Sequence, residues 1–239
     1  MKNCENNTDW KRIALFLKIG LIGACIILAG DMLMGWGVKD TDIVGIESQI
    51  SHYRIISDSR MFWASIAGMA GVPIAVVGHF GIYRLIRPYS EKYARLYGIG
   101  IAGFLAFGGA GVHVSSVETA FFYKYMTLAG QSAALADTIK FASYFLIPLY
   151  IVMIACWLIM VYAHIKAVSG GLSPLPRWCW IFSMLTGTLV FSLVGLCGNY
   201  RIVNAIMVGA FSLGNIWSLT GHLWMLRKAK ENYKKFSDF

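Results

Sequence analysis

The sequence predicts an all-α fold: a polytopic integral membrane protein, one bundle of six transmembrane helices in a single domain. Three observations carry this. First, 57% of the 239 residues are hydrophobic, only 14% are charged, and mean hydropathy is +0.61. A soluble domain of this size carries about 25% charge and has one core, so the apolar excess would have to lie exposed to water. Second, six apolar runs approach the roughly 20 residues that a bilayer core requires. Third, lysine and arginine are unevenly shared between the two sets of connections. Together these exclude an ordinary cytosolic enzyme, a disordered chain and a nucleic-acid module, despite a net charge of +9.

The first run is Ile13–Trp36. Met1–Trp10 ahead of it is polar, and the run is too long for the apolar core of a cleaved signal, so it reads as a retained helix that also targets the chain. The second is Met61–Ile86, closed by Arg87-Pro88, and the third is Tyr97–Val117, with room to run on to Met126. The fourth is Ile139–Ile165, with Pro148 predicting a kink, and Gly170-Gly171, Pro174 and Pro176 end it. The fifth is Trp178–Cys197 and the sixth Ile202–Leu226. Fourteen lysines and arginines flank the termini and the even connections, against six on the other side, and Lys18 snorkels. Both termini are therefore expected in the cytoplasm, and the location expected is a bacterial cytoplasmic membrane. Tryptophans and tyrosines such as Trp10, Trp36, Tyr123 and Tyr200 gather at the run ends as interfacial belts.

Residues 37–60 form the longest connection. Ile43, Ile46, Ile50 and Tyr53 recur every three or four residues and predict an interfacial helix, either a plain connector or a lid. Residues 227–239 form a basic tail suited to anionic lipid or a cytoplasmic partner. Cys4, Cys25, Cys156, Cys179 and Cys197 show no metal or redox spacing and read as small buried hydrophobes. Glycine is concentrated inside the runs. The third reads GIGIAGFLAFGGAG from Gly98 to Gly111, which predicts close packing and makes it the expected central, most buried span. Odd runs place a polar residue beside glycine, and even runs place a histidine after a small residue (Gly78-His79, Ala163-His164, Gly221-His222), a pattern of three related hairpins or a coincidence.

Ionisable groups inside spans are costly and are functional candidates by default. An outer layer holds Asp31, His113, Ser116, Glu118, Asn199, Arg201 and Asn204, read as a ligand site or as a polar cluster pinning helices together. Asp31, His113 and Ser116 also offer the groups of a hydrolase, and Asp31, His113 and Glu118 those of a metal site. An inner layer holds His79 and His222, with the polar stripe of Ser212, Asn215 and Ser218 leading towards His222. His79, Asn215 and His222 are read as a proton relay or as helix-to-helix hydrogen bonds, with axial haem ligation by the two histidines a remoter option. His164 is expected to be solvated. No cofactor is predicted. Partners expected are the bilayer and a small solute or lipid, with a homodimer to complete so small a carrier, and no nucleic acid. The function expected is binding or transport of a small solute or amphiphile through a polar pocket open to the outside. The alternatives are a membrane-embedded enzyme on a lipophilic substrate and a structural or sensory subunit.

Overall fold

The computed structural model describes residues 9–237, with side chains as far as residue 233. Lys2 and Cys4, and the side chains of Lys234 and Lys235 in the basic tail, lie outside the described residues. Among the described residues every regular element is helical. The first, α1 (Trp10–Gly35), starts where the Asp9 carboxylate accepts the Arg12 N–H at 2.9 Å. Its last carbonyls, orphaned as at any helix end, are taken by Arg60. The guanidinium Nε donates to Leu33 O at 3.0 Å, and Nη2 donates to both Leu33 O and Trp36 O.

The connector holds one short helix, α2 (Ile46–Ile50), and a 3₁₀ turn, Ser51–Ile55. The predicted amphipathic helix is therefore shorter than residues 43–53. Ile46 and Ile55 are exposed while Ile56 is buried, so the apolar face is not uniformly turned to the bundle. Ser57 then caps α3 (Asp58–Ile86), and after the Arg87-Pro88 turn Ser90 caps α4 (Glu91–Phe107). A π-helical turn, Gly108–His113, joins α4 to α5 (Val114–Leu128), so the third helix runs 38 residues. The fourth is broken as Pro148 predicts: α6 (Ala134–Phe145) ends at Leu146, and α7 (Ile147–Ser169) restarts with proline in its first turn. Gly171, at φ +72°, reverses the chain after α7, with Leu172 N–H donating to Ala167 O.

The next expected span differs. Between 3₁₀ turns at Arg177–Phe182 and Leu193–Cys197 lies only a nine-residue α-helix, α8 (Met184–Ser192). The last is α9 (Arg201–Val208) and α10 (Ala210–Ser237), bent by 67° at Gly209. Four helices are long and apolar enough to cross a membrane, or five with this bent pair counted as one, where the apolar runs predicted six. The protein is thus a helical bundle suited to several membrane crossings.

Packing follows the small residues. The backbones of α1 and α3 touch where Gly20 faces Gly78 and Gly23 faces Ala75. Gly100 and Gly103 of α4 seat Met160 and Cys156 of α7. The third helix is no more buried than α3 or α7, each with 44% of its apolar window inside, so it is not the most buried span. The tightest backbone contact belongs to the first two helices, because their glycines face each other rather than lying in one helix. Leu17, Ile82, Ile101, Met160 and Leu219 fill the core at 2% exposure or less. Leu15, Ile22, Phe80, Ile151 and Leu158 point outward and form an apolar perimeter. Cys179 is buried as expected, but Cys25 and Cys197 sit on that exposed surface, since no close helix covers their faces.

A side chain at Gly23 would overlap the Ala75 backbone of α3. Gly23→Val is expected to destabilise the bundle by about 1–3 kcal/mol or to prevent folding. Thermal unfolding in detergent, against Gly98→Ala where a Cβ finds its nearest neighbour at 3.7 Å, measures this.

Candidate functional site

Where the irregular segments meet, a cavity of about 240 Å³ opens inside the bundle. Its polar lining comes from five elements: Asp31 on α1, Tyr53 on the connector, His113 and Ser116 on the third helix, Tyr150 on α7, and Ser212 and Asn215 on α10. Its apolar lining includes Met34, Phe104, Met153, Trp157 and Phe211.

Each irregularity delivers a group. The π turn adds a residue to the helical circuit and swings His113 toward α1 and α3. The imidazole occupies space left by Gly68, where a Cβ would overlap the ring, and lies against Gly30. The bend at Gly209 opens beside Leu28 and Asp31 and lets the first turn of α10 face the acid. Ser212 Oγ donates to Asp31 Oδ2 at 2.5 Å. The restart at Pro148 places Tyr150 on the cavity wall.

Asp31 and His113 are nearly enclosed, their side chains 13% and 12% exposed, and Asp31 Oδ1 lies 3.5 Å from His113 Nδ1. His113 Nε2 is 2.9 Å from Ala64 O, which can only accept, so Nε2 carries a hydrogen. A neutral imidazole then presents the Nδ1 lone pair to the carboxylate. The contact is favourable when one further proton lies on either atom, giving an ion pair or a neutral acid–imidazole pair.

Asn215 links the cavity to the interior. Its Oδ1 is 2.7 Å from His79 Nε2, and His79 Nδ1 is 2.9 Å from the Tyr97 hydroxyl. With the amide oxygen accepting, Nε2–H donates and Nδ1 accepts from Tyr97. His222 stands apart from that chain. Its Nδ1–H donates to Ser218 O at 2.7 Å, so Nε2 accepts from His164 Nε2–H at 3.0 Å. His164 is 3% exposed, correcting the expectation that it is solvated: the partner on α10 draws it inward. Both nitrogens of His79 and of His222 are engaged, which leaves neither free as an axial ligand. Among the described residues no group of three or more His, Cys, Asp or Glu converges to hold a metal.

The other predicted site residues lie elsewhere. Glu118 faces a separate apolar groove between α3, α5 and α6, so Asp31, His113 and Glu118 do not form one cluster. Asn199 and Asn204 tie down the connector. Asn199 Oδ1 accepts from Lys39 N–H at 3.1 Å, its Nδ2 donates to Lys39 O at 2.8 Å, and Asn204 Nδ2 donates to Gly37 O at 2.8 Å. Arg201 is exposed at the start of α9. Ser116 reaches the cavity, but its hydroxyl donates to Val112 O at 2.7 Å rather than to His113. Sequence reasoning missed Tyr53, Tyr97, Tyr150, Trp157 and Phe211 as wall or relay residues. The Gly108-Gly109-Ala110-Gly111 run was the available signal for the π turn.

The connector closes over the cavity mouth with Tyr53. Burial first, then the charge of Asp31, pushes the Tyr53 phenol above its usual range. Tyr123 donates to Glu47 Oε1 at 3.0 Å, and Lys124 Nζ donates to Ile56 O at 2.8 Å, holding the connector on α5. The neighbouring His52 is 3% exposed.

Residues 1–229 match a family of unknown function, DUF6796, and the chain belongs to that family. No curated protein and no solved structure matches it.

Burial, then the Lys39 and Arg60 charges, hold the His52 imidazole down to about 4 from 6.5. The docked connector therefore binds fewer protons than the undocked one. Its docking is at full strength above about pH 6.5 and is lost as pH falls towards about 4. Hydrogen–deuterium exchange across residues 44–56, corrected for intrinsic rate, is expected to rise roughly tenfold or more between about pH 7.5 and about pH 5. In His52→Phe the rise should vanish.

Proposed function

We propose that this protein crosses the membrane six times, with both termini in the cytoplasm, and binds a small solute or amphiphile in its central cavity, coupling that binding to a proton shared by Asp31 and His113. The observation that carries the reading is the Asp31–His113 pair itself, two titratable groups facing each other at 3.5 Å on the wall of a 240 Å³ cavity. An enclosed acid and base inside a span are costly and mark ion or substrate pathways.

Contacts at the two ends support six crossings. Asn232 donates to Pro174 O, and Trp10 packs on Tyr233, so the start of α1, the turn before α8 and the end of α10 share one end. Asn199 and Asn204 share the other end with Gly37 and Lys39. The chain between Pro174 and Asn199 therefore runs from end to end. Its 3₁₀ turns rise about 2.0 Å per residue, which brings residues 177–197 to about 35 Å, enough for a bilayer core of about 30 Å.

Broken helices around the cavity support a transport role. Irregular backbone at membrane depth is tolerated where it lines a cavity, and discontinuous helices form the binding sites of many carriers. The path Asn215–His79–Tyr97 continues the polar lining towards the terminal end.

Proteoliposomes loaded with a pH-sensitive dye and given an inward proton gradient test this. A panel of small amines, amino acids and sugars is expected to include at least one compound that accelerates collapse of the gradient. Asp31→Asn, whose amide can still donate to His113 Nδ1, should abolish that acceleration while the protein remains folded. If no compound binds or alters the gradient, and Asp31→Asn matches the wild type, the reading fails.

A further inference from the structure

The walls of the cavity bear on what it binds. The chain carries 21 lysines and arginines against 12 acids. Yet among the described residues no lysine or arginine lines the cavity, whose ionisable lining groups are Asp31, His113, Tyr53 and Tyr150. Arg60 is committed to the carbonyls of Leu33 and Trp36 at the end of α1. An anion would thus find no guanidinium or ammonium there. A sugar, polar on every side, would set hydroxyls against the apolar side chains that make up most of the wall.

The apolar part of the wall mixes aliphatic side chains, such as Ile27, Val72 and Met153, with a set of aromatic ones. Tyr53, Phe104, Tyr150, Trp157 and Phe211 line it, and Trp157 and Phe211 meet edge to face at 5.3 Å between centroids. Aromatic faces attract cations, most strongly where water is excluded. We propose that the cavity selects a small organic cation, an amine or quaternary ammonium ion with an apolar body, exchanged for the proton of the Asp31–His113 pair. This rests on the reading that the cavity is a binding site.

Charge balances in that exchange. Before binding, carboxylate, imidazole and one proton sum to zero. When the cation settles against Asp31, the extra proton leaves to water, His113 becomes neutral with Nε2–H still on Ala64 O, and the sum is again zero. Groups facing Asp31 are His113 from the third helix, Tyr53 from the connector and Ser212 from α10, and none adds a fixed charge. The volume holds about eight waters, the size of a cation with about ten heavy atoms rather than a lipid.

A neighbouring feature has the same sign. The groove of about 740 Å³ that opens between α3, α5 and α6 is walled by Phe62, Phe121, Phe122 and Phe141, and its ionisable acids are Asp58 and Glu118. Asp58 is paired with Lys124 at 2.7 Å. Val117 lines both groove and cavity, so an apolar cation in the groove stands one side chain away from the site.

The test uses the full chain in lipid nanodiscs and three probes of one shape: benzyltrimethylammonium, its neutral carbon isostere neopentylbenzene, and the anion phenylmethanesulfonate. The quaternary cation cannot titrate, so any pH dependence belongs to the protein. Calorimetry is expected to show the cation binding at least about tenfold more tightly than either other probe at about pH 8, and its own affinity falling by at least about thirtyfold at about pH 5.5. Titration at about pH 6 in two buffers of different ionisation enthalpy should show about one proton released per cation bound. Asp31→Asn should erase the preference for the cation and the proton release that accompanies its binding. The three-probe comparison in the wild type needs no variant. If the neutral or anionic probe binds as well as the cation and still moves a proton through Asp31, the ligand class is wrong and the proton-linked site stands. If no probe binds with any proton exchange, both fall.

Discussion

An acid enclosed within an apolar helix has to be neutralised where it stands. A buried charge without a partner costs several kcal/mol, and breaking a buried pair by removing one member costs about 3–5 kcal/mol. Asp31 meets that constraint with the His113 ring on one oxygen and the Ser212 hydroxyl on the other. The geometry around it serves this pairing: Gly68 and Gly30 leave room for the ring, and Ala64 O fixes which nitrogen faces the acid.

The breaks in the helices belong to the same arrangement. A regular third helix would place His113 on a different bearing, and a straight last helix would hold Ser212 away from α1. The π turn, the 67° bend at Gly209 and the restart after Leu146 each leave backbone groups that a lipid environment cannot satisfy. They are affordable because all three open onto one cavity with polar groups on its wall. Closure on the connector side combines polar ties, Asn199 to Lys39 and Glu47 to Tyr123, with a small apolar cluster that buries Ile56 against Met34, Met61 and Val117. Such ties can open without unfolding the bundle.

Much of this was legible in residue order. The kink followed Pro148, and the shared depth of Asp31 and His113 followed from their places near the same end of their spans, while their convergence came only with the fold. Depth was not enough for Glu118, Asn199 and Arg201. They share the level of Asp31 but face other ways, and facing depends on helix rotation, which the π turn changes by an amount no periodicity reveals. His164 was misjudged for a similar reason: its distance from the span end suggested water, but its azimuth points it at His222. The last two runs were read as plain spans because composition does not distinguish a 3₁₀ turn from an α turn.

The most direct measurement is the protonation state of the pair. Nitrogen-15 spectra of histidine-labelled protein, with His113→Gln to assign the signal, report the charge on each ring nitrogen, and carbon-13 spectra of labelled aspartate report Asp31. The account predicts that near pH 7 the pair holds one proton beyond that on Nε2, seen either as an imidazolium beside a carboxylate or as a carboxylic acid bonded to Nδ1. An ionised Asp31 beside a neutral His113 with an unbonded Nδ1 at that pH would contradict it.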